Sequence, residues 1–303
     1  MYAKPLIVFF LFLLMLLFSA IPVSDEPVFF MTEESKGNAI KELDLNLKAD
    51  DIAISFLELD SGEAALIQDE KGHHVLLNTG SSTSLSQFKH QLKIFNVKKI
   101  DALIITNAGK QYTGNLGWLV DEMEVGSIHT SELIADELMK EFELSRNKIK
   151  PLKQGDEWTV FHKLNVRLLT VETRSEYNEG GLVLLMEYGT HRFLYMGVSN
   201  MEIDRSLIQK GPLDISLLKI GGFGHYFGTS EELLNHIEPE VAVLFKRKGY
   251  IASDEVIDRL DEHWIEVLKP FEEGIVMVKW NKTAYEITQV PLFKPEMAYS
   301  AKN

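Results

Sequence analysis

Ile52-Ala53-Ile54-Ser55-Phe56-Leu57-Glu58-Leu59 runs into Asp60-Ser61-Gly62-Glu63 and re-emerges as Ala64-Ala65-Leu66-Ile67-Gln68. Both apolar runs have strand length, and Asp-Ser-Gly between them is turn chemistry, so the stretch predicts strand, turn, strand. After Lys71-Gly72, Val75 to Leu77 adds a third strand, giving a meander. Leu85, Phe88, Leu92 and Phe95 then recur at spacings of three and four, the stripe of an amphipathic helix. Ile100 to Thr106 is a continuous apolar run and predicts a strand buried on both faces.

The alternation continues outward. Leu133, Ile134, Leu138 and Phe142 predict a helix, and strands are expected at Trp158 to Phe161, Leu164 to Val171, Leu182 to Tyr188 and Phe193 to Met196. Asp214 to Ile220 predicts a further strand. Thr229 with Glu232 three residues later has capping-box spacing ahead of Leu233, Leu234 and Ile237. Val241 to Phe245, a helix from Ser253, and strands at Ile265 to Leu268 and Ile275 to Trp280 complete the series. Meanders mixed with helical crossovers predict an α/β architecture, two sheets packed together with helices outside. No Pro/Gly/Ser-rich linker interrupts Ala53 to Ile287, which favours one domain over 51–290, with 291–303 as a tail.

Before this domain, Leu6 to Val23 carries no charged residue, and its 18 positions would span roughly 27 Å as a helix. Lys4 precedes the run and Asp25 and Glu26 follow it, so the positive-inside bias places everything after Val23 outside the cell. Residues 1–24 are therefore expected to form one N-terminal transmembrane helix, an uncleaved signal anchor, because Phe18 sits where a cleavage site wants a small residue. A cleaved peptide and a secreted domain is the alternative. Residues 25–50 are acidic and without period, as a tether would be.

Among 303 residues, 31 basic against 45 acidic side chains give a net charge of −14, which argues against nucleic acid as a partner. The absence of cysteine removes disulfides, thiolate zinc sites and cysteine nucleophiles.

The ordered series of segments resembles the metallo-β-lactamase fold, in particular the soluble domain of ComEC-type competence proteins. Ile54 to Ala64 resembles the family's opening strand and turn. Val75-Leu76-Leu77-Asn78-Thr79-Gly80 resembles a strand ending in Asp-Thr-Gly, and Lys99 to Thr106 the strand that delivers a His-x-His-x-Asp-His motif. Asn178-Glu179-Gly180-Gly181 resembles an Asn-rich turn, and Lys219-Ile220-Gly221-Gly222-Phe223-Gly224 resembles Lys-Val-Gly-His-His-Gly. The resemblance implies an αββα sandwich of two mixed sheets flanked by helices, and hydrolysis by one or two bound dications.

The chain departs from that pattern wherever the resemblance implies a metal ligand. Asn107, Gly109, Gln111 and Tyr112 stand at the His-x-His-x-Asp-His positions, Asn78 and Val198 at two aspartates, and Gly222 and Phe223 at the later histidines. Glycine, valine and phenylalanine side chains donate to no ion. Of the remaining histidines, His225 lies in the glycine-rich turn. His73-His74 sits at a turn before a strand, and because adjacent strand residues point to opposite faces the two are not expected to chelate one ion. His90, His129, His162, His191, His236 and His263 lack partner spacing. Asp60 and Glu63 are expected to hold their turn through backbone amides. No Gly-Lys-Ser/Thr or Gly-x-Ser-x-Gly element is present, and Asp121 to Glu124 reads as a solvated helix face.

Three functions follow. The first is a membrane-anchored, extracytoplasmic, non-catalytic binding or assembly domain without metal, whose vestigial pocket holds Asn78, Asn107, Gln111, Tyr112 and His225 and takes a small ligand or a membrane protein partner. The second is a zinc- or manganese-dependent phosphodiesterase or nuclease with a rebuilt site. The third is a structural ectodomain of a membrane complex.

Overall fold

A computed structural model of the chain describes residues 42–161, 163–173 and 180–292. The expected membrane segment 6–23, most of the tether and tail, His162 and Asn178-Glu179 lie outside the described residues. Among those described, no helix is long and apolar enough to cross a membrane.

The opening stretch folds as its pattern predicts: β1 (Ile52–Phe56), β2 (Ala65–Asp69) and β3 (His74–Leu77) form an antiparallel meander. Three parallel strands extend it: β4 (Lys99–Ile104), β5 (Glu124–Ser131) and β6 (Ile149–Leu152). The last two strands of the chain, β14 (Ile275–Trp280) and β15 (Tyr285–Val290), return to the other edge beside β1. The second sheet repeats the plan. β7 (Glu157–Val160), β8 (Leu164–Val171), β9 (Leu182–Tyr188) and β10 (His191–Met196) are antiparallel, and β11 (Leu217–Lys219), β12 (Val241–Val243) and β13 (Glu266–Leu268) continue in parallel.

Strand alternation divides the apolar side chains into two faces. Ile52, Ile54, Phe56, Ala65, Ile67, Val75 and Leu77 meet Leu164, Val166, Leu184, Phe193, Tyr195 and Leu217 between the sheets. The outer face of the first sheet is covered by α1 (Leu85–Ile94), α3 (Leu116–Glu122) and α4 (Glu132–Phe142), through Phe88, Leu119, Ile134 and Leu138. The second sheet is covered by α5 (Met201–Ile208), α6 (Glu231–Ile237) and α7 (Asp254–Glu262), through Ile203, Leu207, Leu234, Ile237 and Leu260. Two short helices, α2 (Lys110–Thr113) and α8 (Pro270–Glu273), sit in connections. Leu43 and Leu45, within the expected tether, pack on the first outer face, and the Leu43 N–H donates to the Ile94 carbonyl at 2.8 Å.

Three expectations are corrected. The cap of α6 is Ser230, whose hydroxyl accepts from Leu233 N–H at 3.3 Å, whereas Thr229 has φ 52°, outside the extended geometry a cap requires. Asp121 to Glu124 is not one helix face, because the helix ends at Glu122 and Glu124 opens β5. The strand expected over Asp214 to Ile220 is confined to Leu217–Lys219.

Candidate functional site

The carboxyl ends of β3 and β4 in one sheet meet those of β10 and β11 in the other. In open α/β sheets that end is where ligands bind. The approach is close: a Cβ on Gly197, just after β10, would stand 2.4 Å from the Thr106 side chain, so only glycine fits. The Leu182 N–H donates across to the Thr106 carbonyl at 2.8 Å.

Alternation carries four polar side chains into this junction. Glu63 shares the parity of Ala65 and Ile67, Thr106 that of Ile104, Tyr195 that of Phe193, and Lys219 that of Leu217, all facing between the sheets. In the parallel register Tyr195 lies opposite Lys219. Asn78, one residue past β3, turns the chain at φ 58°, a left-handed conformation that asparagine tolerates.

These groups form one network. The Lys219 ammonium pairs with Glu63 Oε2 and donates to the Met196 carbonyl at 2.7 Å, and both side chains are 0% exposed. The Tyr195 hydroxyl donates to Glu63 Oε1 at 2.9 Å. Asn78 Nδ2 lies 2.9 Å from Glu63 Oε1, 2.9 Å from Thr106 Oγ1 and 3.0 Å from the Tyr195 hydroxyl. Asn78 Oδ1 accepts from the Thr106 N–H at 2.8 Å. Lys219 Nζ also lies 4.7 Å from the centre of the Tyr195 ring, where cation–π attraction adds to the pair.

Burial sets the electrostatics. Desolvation pushes the Glu63 carboxyl up and the Lys219 amine down, each against the attraction of the other. Tyr112 and Tyr195 are pushed well above the ordinary phenol range by burial, and the Glu63 charge adds to it. Glu63 Oε2 has no hydrogen-bond partner beyond the ion pair with Lys219, so the carboxylate depends on that ammonium for its compensation. Glu63 is thus not the turn-holding carboxylate expected from the sequence. It is half of a buried ion pair.

The five residues expected to line a pocket take different places. Asn78 and Tyr112 are buried at the network, Tyr112 with its ring 5.5 Å from that of Phe223. Asn107 Nδ2 donates to the Gly197 carbonyl at 3.1 Å, and its Oδ1 accepts from Gly109 N–H at 2.9 Å, so it stitches the two strand ends. Gln111 turns to the opening turn, where its Oε1 accepts from Ser61 Oγ at 2.8 Å. His225 lies in an aromatic cluster, 4.8 Å from the Tyr226 ring and 6.1 Å from Tyr250. Sequence reasoning missed Lys219 and the pairing role of Glu63. A lysine inside the run Leu217-Leu218-Lys219-Ile220, on inward parity, signals a buried cation that needs a carboxylate.

A dication in such a junction needs three or four imidazole or carboxylate donors. Among the described residues, no three His, Asp or Glu side chains converge to hold one. The Glu63 carboxylate at the junction has its oxygens engaged by Lys219, Tyr195 and Asn78. Among the described residues, the donor set at the junction does not fit a metal ion.

Two mixed sheets face to face, with helices on both outer faces and the strand ends meeting at one junction, define the metallo-β-lactamase fold. Solved structures agree. The metallo-β-lactamase fold protein YhfI of Bacillus subtilis matches with a TM-score of 0.54 at 11% identity, covering 72% of this chain and 97% of that one. Igni18, a metallo hydrolase of Ignicoccus hospitalis, matches with a TM-score of 0.52 at 13% identity, covering 80% and 100%. In sequence, the chain is 24% identical over 196 residues to ComE operon protein 3 of Bacillus subtilis, which supports the ComEC-type resemblance. The match takes in 61% of this chain and 25% of that protein, so the chain spans about a quarter of the relative's length. No family model matches the chain.

Proposed function

We propose that this chain is a metallo-β-lactamase-fold protein that has lost its metal ligands and acts by binding or assembly, held outside a bacterial cell membrane by residues 6–23. The observation that carries the reading is the donor set at the strand-end junction. An ammonium–carboxylate pair sits there among amide, phenol and hydroxyl groups, where hydrolysis would need a dication with an open coordination position. Lys219 and Glu63 are fully enclosed, so the pair links the two sheets and does not reach a substrate. The partner in this reading is a membrane protein or a small ligand.

Metal content of the purified full chain tests it. After dialysis against a weak chelator, we expect far less than one zinc or manganese per chain, and no change in melting temperature on adding zinc, manganese or magnesium. Stoichiometric metal, with phosphodiester hydrolysis lost on stripping, would establish the hydrolase instead. A reporter fused after Asn303 should be active only outside the cytoplasm, and a cytoplasmic signal would remove the membrane part of the reading.

A further inference from the structure

The loop after β12 carries Lys246-Arg247-Lys248-Gly249-Tyr250-Ile251, three consecutive cations in a chain of net charge −14. All three are exposed, and none is in an ion pair among the described residues. Lys246 lies 5.5 Å from the Phe271 ring and the Arg247 guanidinium 6.0 Å from the Tyr250 ring, contacts that leave the charge uncompensated.

The loop is held in shape on two sides. Gly62 N–H donates to the Lys246 carbonyl at 2.8 Å, and Lys248 N–H to Ser61 Oγ at 3.0 Å, which fixes one side to the opening turn. Ser253 N–H donates to the Gly224 carbonyl at 2.9 Å, which fixes the other side to the glycine-rich turn. That second turn brings Tyr226 and Phe227, whose rings lie 3.9 Å apart and are 48% and 51% exposed. Ile251 is 88% exposed. Large apolar groups standing in water beside unpaired cations match an interfacial anchor: the rings and Ile251 enter the headgroup boundary while Lys and Arg meet anionic headgroups.

We propose that this preformed loop is a second membrane contact, binding the surface of a bilayer rich in anionic lipid. Charge complementarity selects the occupant. A local tip with three cations attracts an anionic plane at short range, whereas the acidic remainder of the chain opposes wrapping by a long polyanion. Asp60 on the opening turn, Asp254 and Glu255 after the loop and Glu272 beside Phe271 are acidic neighbours in the chain that oppose the attraction. The inference rests on the membrane placement proposed above.

The chain has no cysteine, so one introduced thiol is a unique label. Full-length Ile251→Cys carrying a bimane is reconstituted into phosphatidylcholine vesicles with and without phosphatidylglycerol, each containing doxyl-labelled lipid. Strong quenching is expected only with phosphatidylglycerol. The same label at Lys71→Cys, beyond the opposite end of β2, should stay unquenched in both. Lys246→Glu with Arg247→Glu and Lys248→Glu should weaken the loop–lipid equilibrium about a hundred-fold, about one kcal/mol per cation, and abolish the extra quenching. Retained quenching in that variant, equal quenching in both vesicles, or none in either overturns the proposal. Loss of quenching on adding inorganic phosphate would show a site for the free anion and also overturn it. Flotation after carbonate extraction reads the anchor separately. If the chain is extracted, the anchor falls, and quenching on added phosphatidylglycerol vesicles still decides the loop.

Discussion

Lys219 and His225 stand six residues apart on one segment and in opposite environments. Lys219 ends a strand, is fully enclosed, and is held by a carboxylate, a backbone carbonyl and a ring face. His225 sits in a surface stack with Tyr226, Phe227 and Tyr250. Between them the chain turns through Gly222 at φ 58° and Phe223 at φ 56°. A bulky residue there is strained, and the Phe223 ring is packed against that of Tyr112. The contrast teaches that polar character divides by depth. Inside, the charge needs a named partner; outside, the same segment leaves rings in water.

The largest effect should come from breaking the buried pair. Lys219→Met leaves Glu63 charged and enclosed, and we expect a loss of about 3–5 kcal/mol in urea unfolding of the full chain. Lys219→Met with Glu63→Gln removes both charges and should lose much less, giving a large coupling in the double-mutant cycle. Independent, additive effects would show that the two groups do not compensate each other.

Burial acts on a second interior group in a way that pH can read. His129 is stacked on Trp158 at 5.5 Å, with Ser127 Oγ 3.0 Å from its Nε2, and burial pushes its pKa down to about 4. The unfolded chain takes up that proton near pH 6.5, before the folded chain does. The contribution is therefore complete above pH 6.5, falls as pH drops towards 4, and amounts to about 3 kcal/mol as an order of magnitude. His129→Gln should flatten that part of the stability curve relative to the parent. Parallel curves would show that His129 is hydrated in the folded state.

A smaller effect is expected inside the network itself. Tyr195→Phe removes one donor to Glu63 while Lys219 and Asn78 remain, so about 1–2 kcal/mol should be lost. A loss as large as that of Lys219→Met would move the main compensation of Glu63 from the ammonium to the phenol.

The two environments were unequally legible in the sequence. Short apolar runs and the Leu85, Phe88, Leu92 stripe showed the strands and α1, because burial writes itself into apolar spacing. Helix α5 was not visible, since its buried apolar side chains are only Ile203 and Leu207, too few for a stripe. β5 was hidden by Glu124-Val125-Gly126-Ser127, where polar residues precede the buried end. At the junction, Asn78 and Tyr112 were singled out because they stand at motif positions. Lys219 was passed over because its neighbours are apolar, and its role appears only when Glu63, 156 positions earlier in the sequence, arrives beside it.

The smallest effect should fall at the surface, and it sharpens the contrast most. Ser230→Ala removes the hydroxyl that accepts from Leu233 N–H and should cost about 1 kcal/mol. Phe227→Ser lies a few residues before that cap, on a ring that is half exposed, and should change stability by no more than about 0.5 kcal/mol. The ring nevertheless touches Tyr226 and His225, so a structural role would appear as a loss comparable to that of the cap. Equal melting of Phe227→Ser and the parent, beside a clear loss for Ser230→Ala, would show that the aromatic loop adds nothing to the stability of the fold. A loss at Phe227 exceeding that at Ser230 would make the stack part of the core and dissolve the division by depth.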